Sequence, residues 1–219
     1  MNNLLIKICG ISDLDIAQQS AQAGAHYIGI VFHHQSSRFV SIEKAKEISI
    51  IAHRFGAKPV AVFVEQSANK MLEICSITGI NVVQLHGEIS RSQHQLLPQH
   101  YIRIYAQSIN NTGEIEKDTT SGLSHCDPSR DFLLFDNKTP GNGMAFDWQR
   151  FSYHGRFRWF LAGGLTAKNV ATAISTLQPN ALDISTGVEN KFGRKEINLI
   201  EQFINSAKSK NNGRHENEQ

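Results

Sequence analysis

Short apolar runs alternate with helix-patterned segments along this chain, and that alternation constrains its fold more than any other feature. The runs cover 4–9, 27–32, 59–64, 81–86, 101–106, 132–136, 159–162 and 181–185, and are rich in Val, Ile, Leu and Phe. Few of them alternate strictly with polar residues, so both faces are expected to be covered, as in a parallel sheet. Between them apolar residues recur at spacings of three and four, as in Ile42, Ala45, Ile48, Ile51 and Ala52, which is the pattern of an amphipathic helix. Ser41 and Thr166 read as helix starts, and Asp13 and Asp15 as a cap and a first-turn charge. Eight such units in 219 residues suit a single (β/α)8 TIM barrel, an eight-stranded parallel barrel surrounded by helices. A doubly wound open sheet is the competing architecture.

No linker divides the chain. One catalytic domain is expected over 1–207. The tail 208–219 (KSKNNGRHENEQ) has no apolar anchor and is expected to be disordered. The stretch 107–130 is polar and rich in Gly, Ser and Thr, so its helix should be weak or short. Charge is nearly balanced, with 22 basic and 20 acidic residues and a net charge of +2. No basic cluster points to nucleic acid or to an anionic membrane surface. Neither a secretory leader pattern nor a run of about 18 apolar residues is visible. Three cysteines, Cys9, Cys75 and Cys126, are too few and odd in number for a disulfide framework, and they suggest a reducing cytoplasm. Cys75 reads as the buried face of a helix and Cys126 as incidental in a polar loop. His33, His34 and His86 lack the spacing of a metal site and read as loop histidines, so no metal is expected.

In a barrel of this kind chemistry gathers where strands end and loops begin. The strand ends here carry Cys9-Gly10, His86-Gly87, Asp136-Asn137, Gly163-Gly164 and Ser185-Thr186-Gly187, and the second loop carries Arg38. Side chains two apart on a strand share a face. Lys7 therefore points with Cys9, Gln84 with His86, and Asp183 with Ser185. Closing a barrel makes strand eight a neighbour of strand one. If these residues line the lumen, Lys7 and Asp183 meet one layer below the rim, because a buried ammonium needs a partner. Glycine turns after the seventh and eighth strands, the first leading into a helix start and the second into a short helical turn, suit a phosphate. On the residues alone, other readings stay open: Cys9 as a small buried hydrophobe, Asp136 as a helix cap, Arg38 as a surface charge.

The motifs KICGI at 7–11, QLHG at 84–87, FDW at 146–148, LAGGL at 161–165 and GVE at 187–189 resemble the phosphoribosylanthranilate isomerase family of tryptophan biosynthesis. They occur in the family's order and span nearly the whole chain. The resemblance implies a cofactor-independent Amadori rearrangement of N-(5-phosphoribosyl)anthranilate to 1-(2-carboxyphenylamino)-1-deoxyribulose 5-phosphate. It makes Cys9 the general base and Asp136 the general acid, and it gives Arg38 the anthranilate carboxylate. His86 would line the site, and Lys7, Gln84 and Asp183 join it as candidate substrate-facing residues. The phosphate cradle would comprise Gly141, Gly143, Gly163, Gly164, Ser185, Thr186 and Gly187. A carboxyl titrates near 4 and a thiol near 8.5, so Asp136 should be raised. Cys9 should be lowered, or deprotonated as substrate binds. The implied partner is one small molecule bearing a phosphate and a carboxylate, and a monomer or homodimer would suit the surface.

Two positions depart from the family's pattern. Pro140 stands where the family has a glycine before FDW, and Thr186 stands where it often has serine. Two other functions compete: a related sugar-phosphate isomerase, as in histidine biosynthesis, and a catalytically inactive phosphate-binding scaffold. The first would carry an aspartate base on strand one and a twofold repeat, neither of which is present. The second would have lost Cys9 or Asp136.

Overall fold

The computed structural model describes residues 4–117, 122–137 and 145–215, with side chains as far as 210. Its strands are β1 Leu5–Cys9, β2 Tyr27–Val31, β3 Lys58–Phe63, β4 Val82–Leu85, β5 Ile102–Ile109, β6 Phe132–Asn137, β7 Arg158–Leu161 and β8 Ala181–Ile184. They close into a parallel barrel in sequence order, with β1 between β2 and β8. Every expected strand is present. β5 runs past its expected end at 106 to Ile109, in register with β6.

The period of two sorts each strand between two cores. In β1, Ile6 and Ile8 pack outward under the helices, whereas Leu5, Lys7 and Cys9 turn inward. Inside the barrel Tyr27, Val60, Val82, Ile104, Phe132 and Phe160 fill the lower layers, and Tyr27 and Phe160 meet edge to face at 5.7 Å. The lumen is thus plugged below, and only its upper end is polar.

Among the described residues six helices cover the outside: α1 Leu14–Ala23, α2 Ile42–Arg54, α3 Ala68–Thr78, α4 Glu88–Ser92, α5 Val170–Leu177 and α6 Ile197–His215. Asp13 caps α1 by accepting from the Asp15 and Ile16 amides, and Ser41 caps α2 by accepting from Lys44. α5 starts at Val170 instead of just after Thr166. The Asn169 side chain accepts from the Thr166 amide and donates to the Gly164 carbonyl. The residues after Thr166 therefore form a turn before the helix. α6 continues through 208–215, past the boundary expected at 207.

Among the described residues no helix follows β5 or β6, so the weak helix expected in 107–130 is absent there. Its polar sequence has no apolar stripe to bury. Other groups cover those strands. Outside β5 the buried Arg103 donates to the Tyr101 and Leu97 carbonyls at 3.2 and 2.6 Å. Cys126 packs against the core rather than standing free in a loop, and burial pushes its thiol up to about 12. Outside β6 and β7, Phe146 and Phe151 pack with Phe135 and Trp159 at ring distances of 5.1 to 5.6 Å, and such pairs add about 0.5–1.5 kcal/mol each beyond their buried area. Cys75 is buried in α3, as expected. No helix among the described residues is long and apolar enough to cross a membrane.

Candidate active site

Barrel closure places Lys7 opposite Asp183 in the β1–β8 register, and Lys7 Nζ donates to Asp183 Oδ1 at 2.7 Å. Lys7 is fully buried. Burial works to discharge it, but Asp183 and Cys9 more than offset that and hold its pKa above the ordinary value. The ammonium therefore persists directly beneath the thiol. Gly29 of β2 makes the room: a Cβ there would lie 2.8 Å from Cys9 Sγ and 3.1 Å from Lys7 Nζ. Nothing in the sequence marks this glycine, because glycine within a strand ordinarily signals only a weak position.

Cys9 is the last residue of β1 and is buried. Burial raises its thiol above the ordinary value, against the pull of Lys7. The lowering expected from sequence is thus corrected: desolvation outweighs the neighbouring cation, and the free protein carries a thiol. Asp136 moves as expected. Burial, aided by Asp183, lifts its carboxyl from 3.8 to about 7, while the Asn137 amide and Lys7 oppose the shift. Asp136 lies within β6 and caps no helix among the described residues.

His86 follows β4 and lies beside Asp136, with Nε2 3.8 Å from Asp136 Oδ2. Burial drives its imidazole down to about 4, so it is neutral at physiological pH. Gln84 Nε2 contacts His86 Nδ1 at 3.0 Å. With the amide donating, the ring keeps its proton on Nε2, facing the carboxylate. Lys7 and Gln84 thus stand under the rim and support Cys9 and His86.

Gly163 adopts φ +85°, and a Cβ there would sit 3.0 Å from Asp136 Oδ1. The first glycine turn therefore lies against the carboxyl. The second turn meets the first, since a Cβ on Gly187 would run into the Leu165 carbonyl. Ser185 Oγ donates to the Cys9 carbonyl at 3.2 Å. Residues 163, 164 and 185–187 are thereby gathered on one side of the mouth. After the first turn the helix α5 begins farther on than expected, at Val170, whereas the second turn leads into a 3₁₀ turn, Thr186–Val188, as the short helical turn expected there. Gly141, Gly143 and Pro140 lie outside the described residues.

Arg38 reaches the same mouth from the loop after β2, with its side chain over Gly10. It does not stand alone. Its Nε and Nη2 donate to Glu189 Oε1 and Oε2 at 2.6 and 2.8 Å, and Lys195 Nζ donates to Glu189 Oε1 at 2.7 Å. Glu189 stands in the GVE motif with no role assigned from sequence, and nothing in the sequence singles out Lys195. A contact spanning 151 residues leaves no local pattern. A cleft of about 710 Å³ opens beside Arg38, Gly10, Lys195 and Phe192. Away from this mouth, His33 pairs with Glu65, and the His34 ring packs tilted against Phe39.

The mouth combines a thiol above an ammonium, a carboxyl near neutrality, a neutral imidazole and a guanidinium. Such a set can donate one proton, accept another and hold an anion. The family model for N-(5'-phosphoribosyl)anthranilate (PRA) isomerase matches residues 6–206. The chain is similar to the N-(5'-phosphoribosyl)anthranilate isomerase of Chlamydia felis, 40% identical over 93% of this chain and 96% of that protein. It also resembles the crystal structure of phosphoribosyl anthranilate isomerase from Thermotoga maritima, with TM-score 0.81 and 36% identity over 94% of this chain and all of that one. A third likeness is to a phosphoribosyl anthranilate isomerase in complex with reduced 1-(o-carboxyphenylamino)-1-deoxyribulose 5-phosphate, with TM-score 0.72 and 33% identity over 94% of this chain and 100% of that one. The chain belongs to the N-(5'-phosphoribosyl)anthranilate isomerase family.

Proposed function

We propose that the chain isomerises N-(5'-phosphoribosyl)anthranilate to 1-(2-carboxyphenylamino)-1-deoxyribulose 5-phosphate, a step of tryptophan biosynthesis, with Asp136 as general acid and Cys9 as general base. One observation carries the assignment: a thiol held over a buried ammonium shares a barrel mouth with a carboxyl that is about half protonated at neutral pH. Asp136 gives its proton to the furanose ring oxygen. The C1'–O bond breaks as the anilino nitrogen lone pair forms the iminium. The C2' proton then becomes acidic, and Cys9, as thiolate, removes it with Lys7 stabilising the charge. The enolamine that results tautomerises to the ketone. Substrate and product are isomers, so only protons move and the chemistry requires no cofactor.

Neutral His86, presenting Nε2–H, steadies Asp136 once it has lost its proton. Arg38 takes the anthranilate carboxylate through its planar donors. The turns at Gly163-Gly164 and Ser185-Thr186-Gly187 receive the phosphate, with Gly141 and Gly143 assigned to the same cradle. The three free cysteines suit a reducing compartment, the cytoplasm. Turnover of phosphoribosylanthranilate by the wild type, lost in Cys9→Ser and in Asp136→Asn while each variant still binds a product analogue, is the expected result. Full activity in either variant would remove that residue from its role, and an inert wild type would favour a scaffold.

A further inference from the structure

Arg38 has five N–H donors arranged as two forks, one along the Nε/Nη2 edge and one along the Nη1/Nη2 edge. Glu189 occupies the first with both carboxylate oxygens. The second edge belongs to a side chain that keeps 22% of its surface and lines the cleft of about 710 Å³. A carboxylate already bound bidentately fixes the guanidinium plane and both terminal torsions. It also cancels the charge that a substrate anion would seek.

Lys195 answers that second effect. Its side chain is 5% exposed and its ammonium shares Glu189 Oε1 with Arg38, so two cations flank one anion and the trio carries a single net positive charge. Lys195 Nζ also donates to Ser185 O and Oγ at 2.9 and 3.0 Å, and Ser185 Oγ reaches the Cys9 carbonyl. The trio is thereby tied to the ends of β8 and β1. Burial works to raise the Glu189 carboxyl, but the hydrogen bonds from Arg38 and Lys195 more than offset it, so Glu189 stays ionised.

We propose that Glu189 and Lys195 are positioning residues for Arg38. Glu189 holds the guanidinium by its Nε/Nη2 edge so that the Nη1/Nη2 edge meets the substrate's carboxylate, and Lys195 restores the positive charge that Glu189 cancels. The inference rests on the assignment of Arg38 to that carboxylate. It makes the anthranilate selectivity of the mouth a property of three residues instead of one.

The test compares phosphoribosylanthranilate with phosphoribosylaniline, which lacks the carboxylate, using the full-length wild type and the Glu189→Gln, Lys195→Met and Arg38→Met variants. Loss of one charge-assisted hydrogen bond should raise KM for the anthranilate substrate about tenfold in Glu189→Gln, with a much smaller change in kcat. Lys195→Met should shift KM in the same direction. For the aniline compound, measured as substrate or as competitive inhibitor, the shifts should be several-fold smaller. Equal losses on both compounds would make the pair a mere support of the loop and overturn the proposal, as would no loss on either. If Arg38→Met discriminates between the compounds and neither Glu189→Gln nor Lys195→Met does, the proposal fails while the role of Arg38 stands. If Arg38→Met does not discriminate, the role of Arg38 itself fails.

Discussion

Replacing Asp136 by Asn should abolish turnover and yet stabilise the protein above neutral pH. The folded carboxyl is raised from 3.8 to about 7, whereas in the unfolded chain it is ordinary. Between about pH 4 and 7 the folded state therefore holds a proton that the unfolded state has released, and stability falls as pH rises through that window. Above it, the whole cost of keeping a carboxylate buried is present. A rise from 3.8 to about 7 is roughly three units at about 1.36 kcal/mol each, on the order of 4 kcal/mol. The side chain keeps 15% of its surface, and solvent screening reduces the effect to about 2–4 kcal/mol. For a chain of this size that is roughly 4–16 °C in Tm. The Asn amide oxygen can still accept from the Asn137 N–H, now 2.8 Å from Asp136 Oδ1, so little else changes. Urea unfolding of both proteins at pH 4 and pH 8.5 tests this. The two should coincide at the lower pH, with Asp136→Asn more stable at the higher. A gap of the same size at both pH values, or none at pH 8.5, would refute the claim that Asp136 is a buried acid.

Lys7→Met leaves Asp183 buried opposite no cation and should cost about 3–5 kcal/mol in denaturant unfolding, with the double variant Lys7→Met/Asp183→Leu recovering much of that loss. Gly29→Ala places a methyl 2.8 Å from Cys9 Sγ and 3.0 Å from Cys9 Cα, which overpacks the site by about 1–3 kcal/mol. Its kcat should fall by more than its affinity for a product analogue. A kcat equal to wild type would mean that Cys9 need not sit where β1 holds it.

Much of the barrel was legible because parallel strands covered on both faces are apolar throughout, as Ile6, Ile8, Ile28 and Ile30 show. The Lys7–Asp183 pair was legible from two facts together, the period of two and the closure of β1 on β8. Among the described residues the expected helices after β5 and β6 are absent for the opposite reason. Arg103 and the aromatic residues 146–159 cover those strands without any helical period. The start of α5 was misplaced because the Asn169 side chain is engaged by Thr166 and Gly164 rather than by a cap. Cys9 illustrates a sign that sequence does not carry: Lys7 lies beside it, but the depth of burial decides the direction of its pKa. Gly29, Glu189 and Lys195 act through contacts between distant parts of the chain, and their positions in sequence are unremarkable.

In the proposed mechanism Asp136 acts as acid and Cys9 as base, with protons placed opposite to their resting state. Asp136 titrates near 7 and Cys9 above the ordinary thiol range, so only a minor fraction of the enzyme has both groups in the working form. The pH dependence of kcat/KM reads this directly. The mechanism predicts an ascending limb that levels near pH 7, a plateau, and a descending limb only where Cys9 titrates, above the ordinary thiol range. A profile that is flat through pH 7, or that falls in the range where Asp136 loses its proton, would contradict it.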